Sequence, residues 1–311
     1  MMRHFLLAPM AELTHRALRE LIESFVSAGE YFTEMISAGA FVNGGPFETW
    51  YADNGPCPEK LVYQLVGADI DLLAKAASLL DQNECLGIDI NMCCSAPLIT
   101  RTGAGVRWMA DIDQAGALIS ALRPRTKRRL SVKLCIGLTD DFEYLVRFCR
   151  RLEEEGLDLI TLHPRTAKEK FKGKIRWNYV SDLRKELRIP LAGNGDIASV
   201  EEMFRRSEEC DAVMIGRLAI RRPWIFAEAN GSQIQVTDTL IEETGLRFLE
   251  LLSRYQPPEF HISRARRFFG YFCDNLKWAN HVKNLLNRET SLWGLKRVWR
   301  AYFAKEVPDL L

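Results

Sequence analysis

The chain has 311 residues, 47% of them hydrophobic and 27% charged, with a formal net charge of +1. This length suits one large domain and a small one, and no apolar run approaches the ~20 residues that a membrane-spanning helix needs. The eight cysteines (Cys57, Cys85, Cys93, Cys94, Cys135, Cys149, Cys210 and Cys273) lack zinc-like spacing, and the apolar stretch at residues 5–8 is too short for a secretory signal. They are expected as reduced thiols of a cytoplasmic monomer with no metal site and no membrane partner.

In chain order, short apolar runs alternate with helical patterns. A strand at 5–8 precedes a helix at 16–27, and a strand at 31–34 precedes a Gly- and Pro-rich loop at 43–58. Then come strand 61–65 with helix 70–80, strand 87–90 with helix 113–122, and strand 130–134 with helix 142–155. Strand 157–162 with helix 179–187, strand 190–192 with helix 200–206, and a strand at 212–215 complete the set. Eight strands separated by helices predict a (β/α)₈ TIM barrel rather than an open doubly wound sheet, and no G-x-G-x-x-G follows the first strand. Beyond residue 225 strand patterns stop, and residues 237–305 read as helices with a break at Gln256-Pro257-Pro258. The expected organisation is a barrel over 1–234 and a small all-α C-terminal domain over 235–311.

Charge is uneven. From Tyr255 to Lys305 there are ten Lys or Arg against three Asp or Glu, a surplus of +7 that leaves −6 for the rest of the chain. Such asymmetry fits an anionic partner or a solvated helical surface equally well. Arg264, Arg266 and Arg267, with Lys170 and Lys172 in the basic loop 168–176, are the candidate contacts to a phosphate backbone. Arg264 and Arg267 lie three apart and are expected on one helix face. The run 123–129 links a helix to the start of a strand and reads as a solvated loop at the other end of the barrel.

In a (β/α)₈ barrel the site forms at the C-terminal strand ends. Those ends carry Pro9-Met10, Gln64, Asn91, Lys133, His163 with Arg165, Asn194-Gly195-Asp196, and Gly216-Arg217. A Lys or His closing a core strand needs compensation, which an anionic, hydrogen-bonding cofactor would supply. The glycines at 195 and 216 let backbone N–H groups approach a phosphate, and Arg217 would add a charge-assisted clamp. Singly, each has an ordinary explanation: a salt-bridged strand lysine, a satisfied buried histidine, a turn dipeptide.

At these residues the sequence resembles the tRNA-dihydrouridine synthase family. Ala8-Pro9-Met10-Ala11 with Thr14 and Arg16 is similar to that family's opening motif, Thr33-Glu34-Met35 to its S/T-E-M, and Gln64-Leu65-Val66-Gly67 to its Q-L-x-G. Asp89-Ile90-Asn91-Met92-Cys93-Cys94, Val132-Lys133-Leu134, His163-Pro164-Arg165-Thr166, Ala192-Gly193-Asn194-Gly195-Asp196, Met214-Ile215-Gly216-Arg217 and Arg222-Pro223-Trp224 follow in the family's order. The resemblance implies FMN over the barrel mouth, NADPH as electron donor and a uridine of tRNA as substrate. It implies that Pro9, Met10 and Ala11 touch the flavin ring through the backbone, and that Gln64 and Lys133 bond its polar edge. It sets His163 beside the ring, and Asn194, Gly195, Asp196, Gly216 and Arg217 on ribityl and phosphate. Cys94 holds the family position for the acid that protonates C5 of uracil, where a thiol of pKa near ~8.5 is mostly protonated at pH 7. Asn91 and Arg165 are the candidate substrate contacts.

The family's N-x-G-C-P-x-K departs here to Asn91-Met92-Cys93-Cys94-Ser95-Ala96-Pro97, so Cys93 stands at the glycine, and His15 and Glu12 alter the opening motif. The flavin positions are intact while the substrate-facing loop is changed. An FMN-dependent barrel oxidoreductase acting on a small molecule or another RNA therefore stays open, as do a Schiff-base aldolase using Lys133 and a non-catalytic RNA-binding flavoprotein.

Overall fold

A computed structural model describes residues 4–26, 28–169 and 172–304. Eight strands, β1 (Phe5–Leu7), β2 (Glu30–Ser37), β3 (Leu61–Val66), β4 (Gly87–Met92), β5 (Arg129–Gly137), β6 (Leu159–Thr166), β7 (Leu191–Asn194) and β8 (Ala212–Ile215), pair in sequence order. Every pairing is parallel, and Phe5 opposite Val213 closes the sheet into a barrel. The predicted (β/α)₈ fold is present. Strands buried on both faces read as continuous apolar runs, which is why their order was visible in the sequence.

Helices α1 (Arg16–Glu23), α2 (Ile70–Leu80), α3 (Ile112–Leu122), α4 (Phe142–Glu154), α5 (Trp177–Glu186) and α6 (Val200–Arg206) stand between the strands. Four begin on side-chain caps: Asp69, Asp111, Asp141 and Ser199 accept the N–H of Leu72 (2.9 Å), Gln114 (3.0 Å), Tyr144 (2.9 Å) and Glu202 (3.2 Å). The stretch expected as a loop at 43–58 holds a short helix, Glu48–Tyr51, with another, Ala38–Val42, just before it.

Inward-facing Leu6, Ala8, Phe32, Val62, Leu159, Ala192, Ala212 and Met214 form the apolar filling of the barrel. At the strands' N-terminal end a buried carboxylate, Glu30, accepts from Arg129 Nη1 at 2.6 Å, pairs with Arg129 Nη2, and meets His4 Nε2 at 2.6 Å. The strand partner of Arg129 is Gly87, where an added Cβ would lie 2.6 Å from the Arg129 carbonyl oxygen. Burial would raise the Glu30 carboxyl, yet the bonds from Arg129 and His4 outweigh it and hold it at about 2. The solvated-loop reading of 123–129 is thus corrected. Pro124, Arg125 and Lys127 are exposed, but Arg129 is half-buried in its pair with Glu30, and Arg123 and Arg128 bond Asp158 Oδ2 (2.6 Å) and the Cys85 carbonyl (2.7 Å).

The chain falls into two compact units, Met1–Pro9 with Gly29–Gly216, and Met10–Ala28 with Arg217–Leu311. The second holds helices α7 (Asp238–Tyr255), α8 (His261–Phe272), α9 (Ala279–Arg288) and α10 (Leu292–Phe303), and α7 ends at the expected Gln256-Pro257-Pro258 break. Its core is aromatic: Phe248 stacks on Phe268 at 3.8 Å, and Phe269 meets Trp299 at 4.7 Å between ring centroids. Helix α1 belongs to this unit. It buries Ala17, Leu18, Arg19, Leu21 and Ile22, with Arg16 over the Tyr255 ring at 4.1 Å and His15 beside Phe248. Among the described residues no helix is long and apolar enough to cross a membrane.

Candidate active site

Side chains alternate between the faces of a strand, so parallel register sorts the inward residues of β3 to β6 into rows. Gln64 lies opposite Asp89, and Asp89 opposite Ser131. One row up, Asn91 faces Lys133, and Lys133 faces Thr161. At the top Cys135 faces His163. All of these are buried.

Hydrogen bonds join Ser131, Asp89, Gln64 and Asn91 into one network. Ser131 Oγ donates to Asp89 Oδ1 (2.6 Å), and Gln64 Nε2 donates to Asp89 Oδ2 (2.7 Å). Asn91 Nδ2 donates to Gln64 Oε1 (3.0 Å), while Asn91 Oδ1 accepts the backbone N–H of Cys93 (3.2 Å) and Cys94 (2.8 Å). Both ends of the Asn91 amide are thus engaged inside the protein, and what it visibly does is position the Cys94 loop. Burial pushes the Asp89 carboxyl up to about 6, against the bonds from Ser131 and Gln64 and the charges of Lys133 and Arg129.

Lys133 is different. Its side chain is 8% exposed, and its ammonium makes no hydrogen bond or ion pair among the described residues. Its charge acts on the Asp89 carboxyl one row below, and this nitrogen can take a hydrogen-bond acceptor from a bound cofactor. Cys94 is half-buried, and burial raises its thiol above the ordinary range.

The other predicted residues are placed as follows. Arg165 is buried within β6; its Nε donates to the Gly173 carbonyl at 2.6 Å and its Nη2 pairs with Asp196, leaving Nη1 buried with no partner among the described residues. Gly195 has φ +132°, and a Cβ there would come within 2.8 Å of the His163 ring, so the end of β7 presses against that histidine. Asn194 Nδ2 donates to the Met214 carbonyl at 2.8 Å, tying β7 to β8 just before the half-buried Gly216. Pro9 follows β1 and is half-buried. In the second unit, the Met10 N–H donates to Thr14 Oγ1 at 2.9 Å, and Ala11 and Arg217 are exposed.

The basic residues divide. Lys172 is exposed, and Lys170 lies outside the described residues. Arg267 is exposed, 3.6 Å from Glu12, and Arg266 is half-buried with Nη2 donating to the Glu289 carbonyl at 2.9 Å. Arg264 corrects the expectation. It is 3% exposed, bonds Gln256 Oε1, and lies over the Phe260 ring at 4.6 Å, so it belongs to the core of its unit and not to an open phosphate-binding face.

The sequence profile of the dihydrouridine synthase family matches residues 6–306. The chain belongs to the dihydrouridine synthase family. A probable tRNA-dihydrouridine synthase of Aquifex aeolicus is 34% identical over 232 residues, covering 72% of this chain and 71% of that protein. The tRNA-dihydrouridine synthase B of Xanthomonas campestris is 27% identical over 306 residues, covering 96% and 92%. Among solved structures, a variant of NCR from Zymomonas mobilis superposes with a TM-score of 0.52 at 16% identity, over 83% of this chain and 92% of that one, a likeness of fold. Within this dihydrouridine synthase barrel, four members of the polar rows were not singled out as site residues from the sequence: Asp89, Ser131, Thr161 and Cys135. Each lies two residues from a recognised site residue on the same strand, so period-two alternation was the signal that could have found them.

Proposed function

We propose that the protein is a monomeric, cytoplasmic FMN-dependent enzyme that reduces a specific uridine of tRNA to 5,6-dihydrouridine with NADPH as electron donor. The observation that carries the reading is the buried Lys133, whose ammonium makes no hydrogen bond or ion pair among the described residues, which suits the acceptor-rich edge of a flavin. Gln64 sits one row below it, and His163 is backed by the close approach of Gly195. Asn194, Gly195, Asp196 and Gly216 at the ends of β7 and β8 would serve ribityl and phosphate, and Pro9, Met10, Ala11 and Arg217 keep the roles that family resemblance gives them.

The chemistry that FMN supplies when bound is hydride transfer to C6 of the uracil. The chain's own part is the proton for C5. Cys94 is suited to it because burial keeps its thiol protonated at pH 7. Asn91 fixes the loop that presents the thiol, through both backbone N–H bonds. Arg165, with Nη1 unsatisfied and the rest of its guanidinium held by Asp196 and Gly173, is pre-set to meet a substrate acceptor. For tRNA, the exposed Lys172 and Arg267, with Arg266 and Lys170, would track phosphates. Mass spectrometry of tRNA nucleosides from cells lacking the protein tests the reading. One dihydrouridine site should disappear, and an unchanged dihydrouridine content would overturn it.

A further inference from the structure

Two thiols near the top of the barrel have no part in the chemistry above. The register of β4 on β5, with Asn91 opposite Lys133 and Met92 opposite Leu134, carries Cys93 to the level of Cys135, and Cys135 faces His163 on β6. Neighbouring strands run about 4.8 Å apart, and the two thiols lie close enough for each to shift the other's titration, while Cys135 Sγ itself donates to Met109 Sδ (3.9 Å) and the Gly137 carbonyl (3.7 Å). The strand spacing lies inside the ~4.4–6.8 Å between Cα atoms that a disulfide spans. Cys94 is a poorer partner for Cys93, because consecutive Cα atoms stand only about 3.8 Å apart. All three are free thiols.

The two sulfurs have unequal surroundings. Cys93 is partly exposed, whereas Cys135 is 2% exposed behind it. The Cys135 contact, with Lys133 and His163 alongside, holds the Cys93 thiol well below the usual range despite burial. The same contact and burial push Cys135 well above it. One thiolate that a small solute can reach, backed by a protonated thiol, is the arrangement of a reactive and a resolving cysteine.

We propose that Cys93 and Cys135 form a redox-active pair that reduces a hydroperoxide. The Cys93 thiolate attacks the terminal peroxide oxygen; an S–O bond forms, the O–O bond breaks, and the alkoxide takes a proton and leaves as an alcohol, or as water from hydrogen peroxide. Cys135 then attacks the Cys93 sulfenic acid; the S–S bond forms, and the hydroxide leaves with the Cys135 proton as water. Two thiols lose two electrons and one peroxide gains them. An external dithiol reverses the disulfide by exchange.

The test uses the full-length protein, reduced, desalted, treated with one equivalent of hydrogen peroxide, blocked with N-ethylmaleimide and mapped as peptides by mass spectrometry. A single Cys93–Cys135 cross-link that dithiothreitol removes is expected. In Cys135→Ser, dimedone should instead label Cys93, and Cys93→Ser should slow peroxide consumption by at least about tenfold. A Cys93–Cys94 link, a dimedone adduct on Cys94, or an unchanged thiol titre in the native protein overturns the proposal.

Discussion

Replacing Lys133 by methionine should push stability and flavin retention in opposite directions. Lys133 is 8% exposed and its ammonium makes no hydrogen bond or ion pair among the described residues, whereas methionine fills nearly the same volume without a charge to desolvate. The ligand-free variant should therefore gain about 1–3 kcal/mol, seen as a rise of roughly 2–4 °C per kcal/mol in melting temperature. Asp89 does not cancel the gain. Lys133 is among the groups that oppose the rise of its carboxyl to about 6, so without Lys133 it titrates higher still and less of it is charged at pH 7. With FMN the sign reverses, because a charge-assisted hydrogen bond worth about 1.5–3 kcal/mol is lost, a 10- to 100-fold weaker retention. Melting curves with and without added FMN, read beside the ~450 nm flavin absorbance, separate the two terms. A ligand-free variant that melts lower yet keeps FMN as tightly would show Lys133 to be a structural lysine and refute the cofactor argument.

Three further outcomes follow from the same geometry. Cys94→Ala should slow uridine reduction by about 10²–10⁴-fold while flavin content and its reduction by NADPH persist, which stopped-flow absorbance and tRNA nucleoside analysis report together. Glu30, held at about 2 against an ordinary 4.5, gives stability that is complete above pH ~4.5 and drains away as pH falls through 2, about 3 kcal/mol in all. Urea titrations of Glu30→Gln between pH 5 and 2.5 should be flatter than those of the native protein by about 2 kcal/mol, most of that amount, and parallel curves would contradict the assignment. Arg264→Glu should lower the melting temperature, because it puts a carboxylate into the core of its unit, whereas Arg267→Glu should leave melting unchanged and weaken tRNA binding.

The strand order was legible because the barrel's wall is apolar, and the strand ends were not because its upper interior is polar. β5 and β6 run on to Gly137 and Thr166, past the expected stops at 134 and 162. Reading apolar runs ends a strand where Cys135, His163 and Arg165 begin, although the ladder continues through them. Asp89 and Ser131 lay inside the expected strands and were passed over as single polar residues in otherwise apolar runs. Arg264 and Arg267 failed differently. Three residues turn a helix through about 300°, so the pair stands roughly 60° apart, and the edge of the buried stripe carrying Ala265, Phe268 and Phe272 falls between them. Amphipathic spacing announced that α1 buries a face; it carried no information about which partner, more than two hundred residues on, would cover it.

That last pairing has a consequence on the ribosome. The apolar stripe of α1 is complete by residue 23, while α7, with which it packs, begins at residue 238. At a synthesis rate of about 5–20 residues per second, the nascent chain carries α1 without its native cover for roughly 10–40 s. For all that time Ala17, Leu18, Leu21 and Ile22 are a surface waiting on a helix made more than two hundred residues later, the kind of segment that chaperones shield and that a chain stalled before residue 238 leaves unpaired.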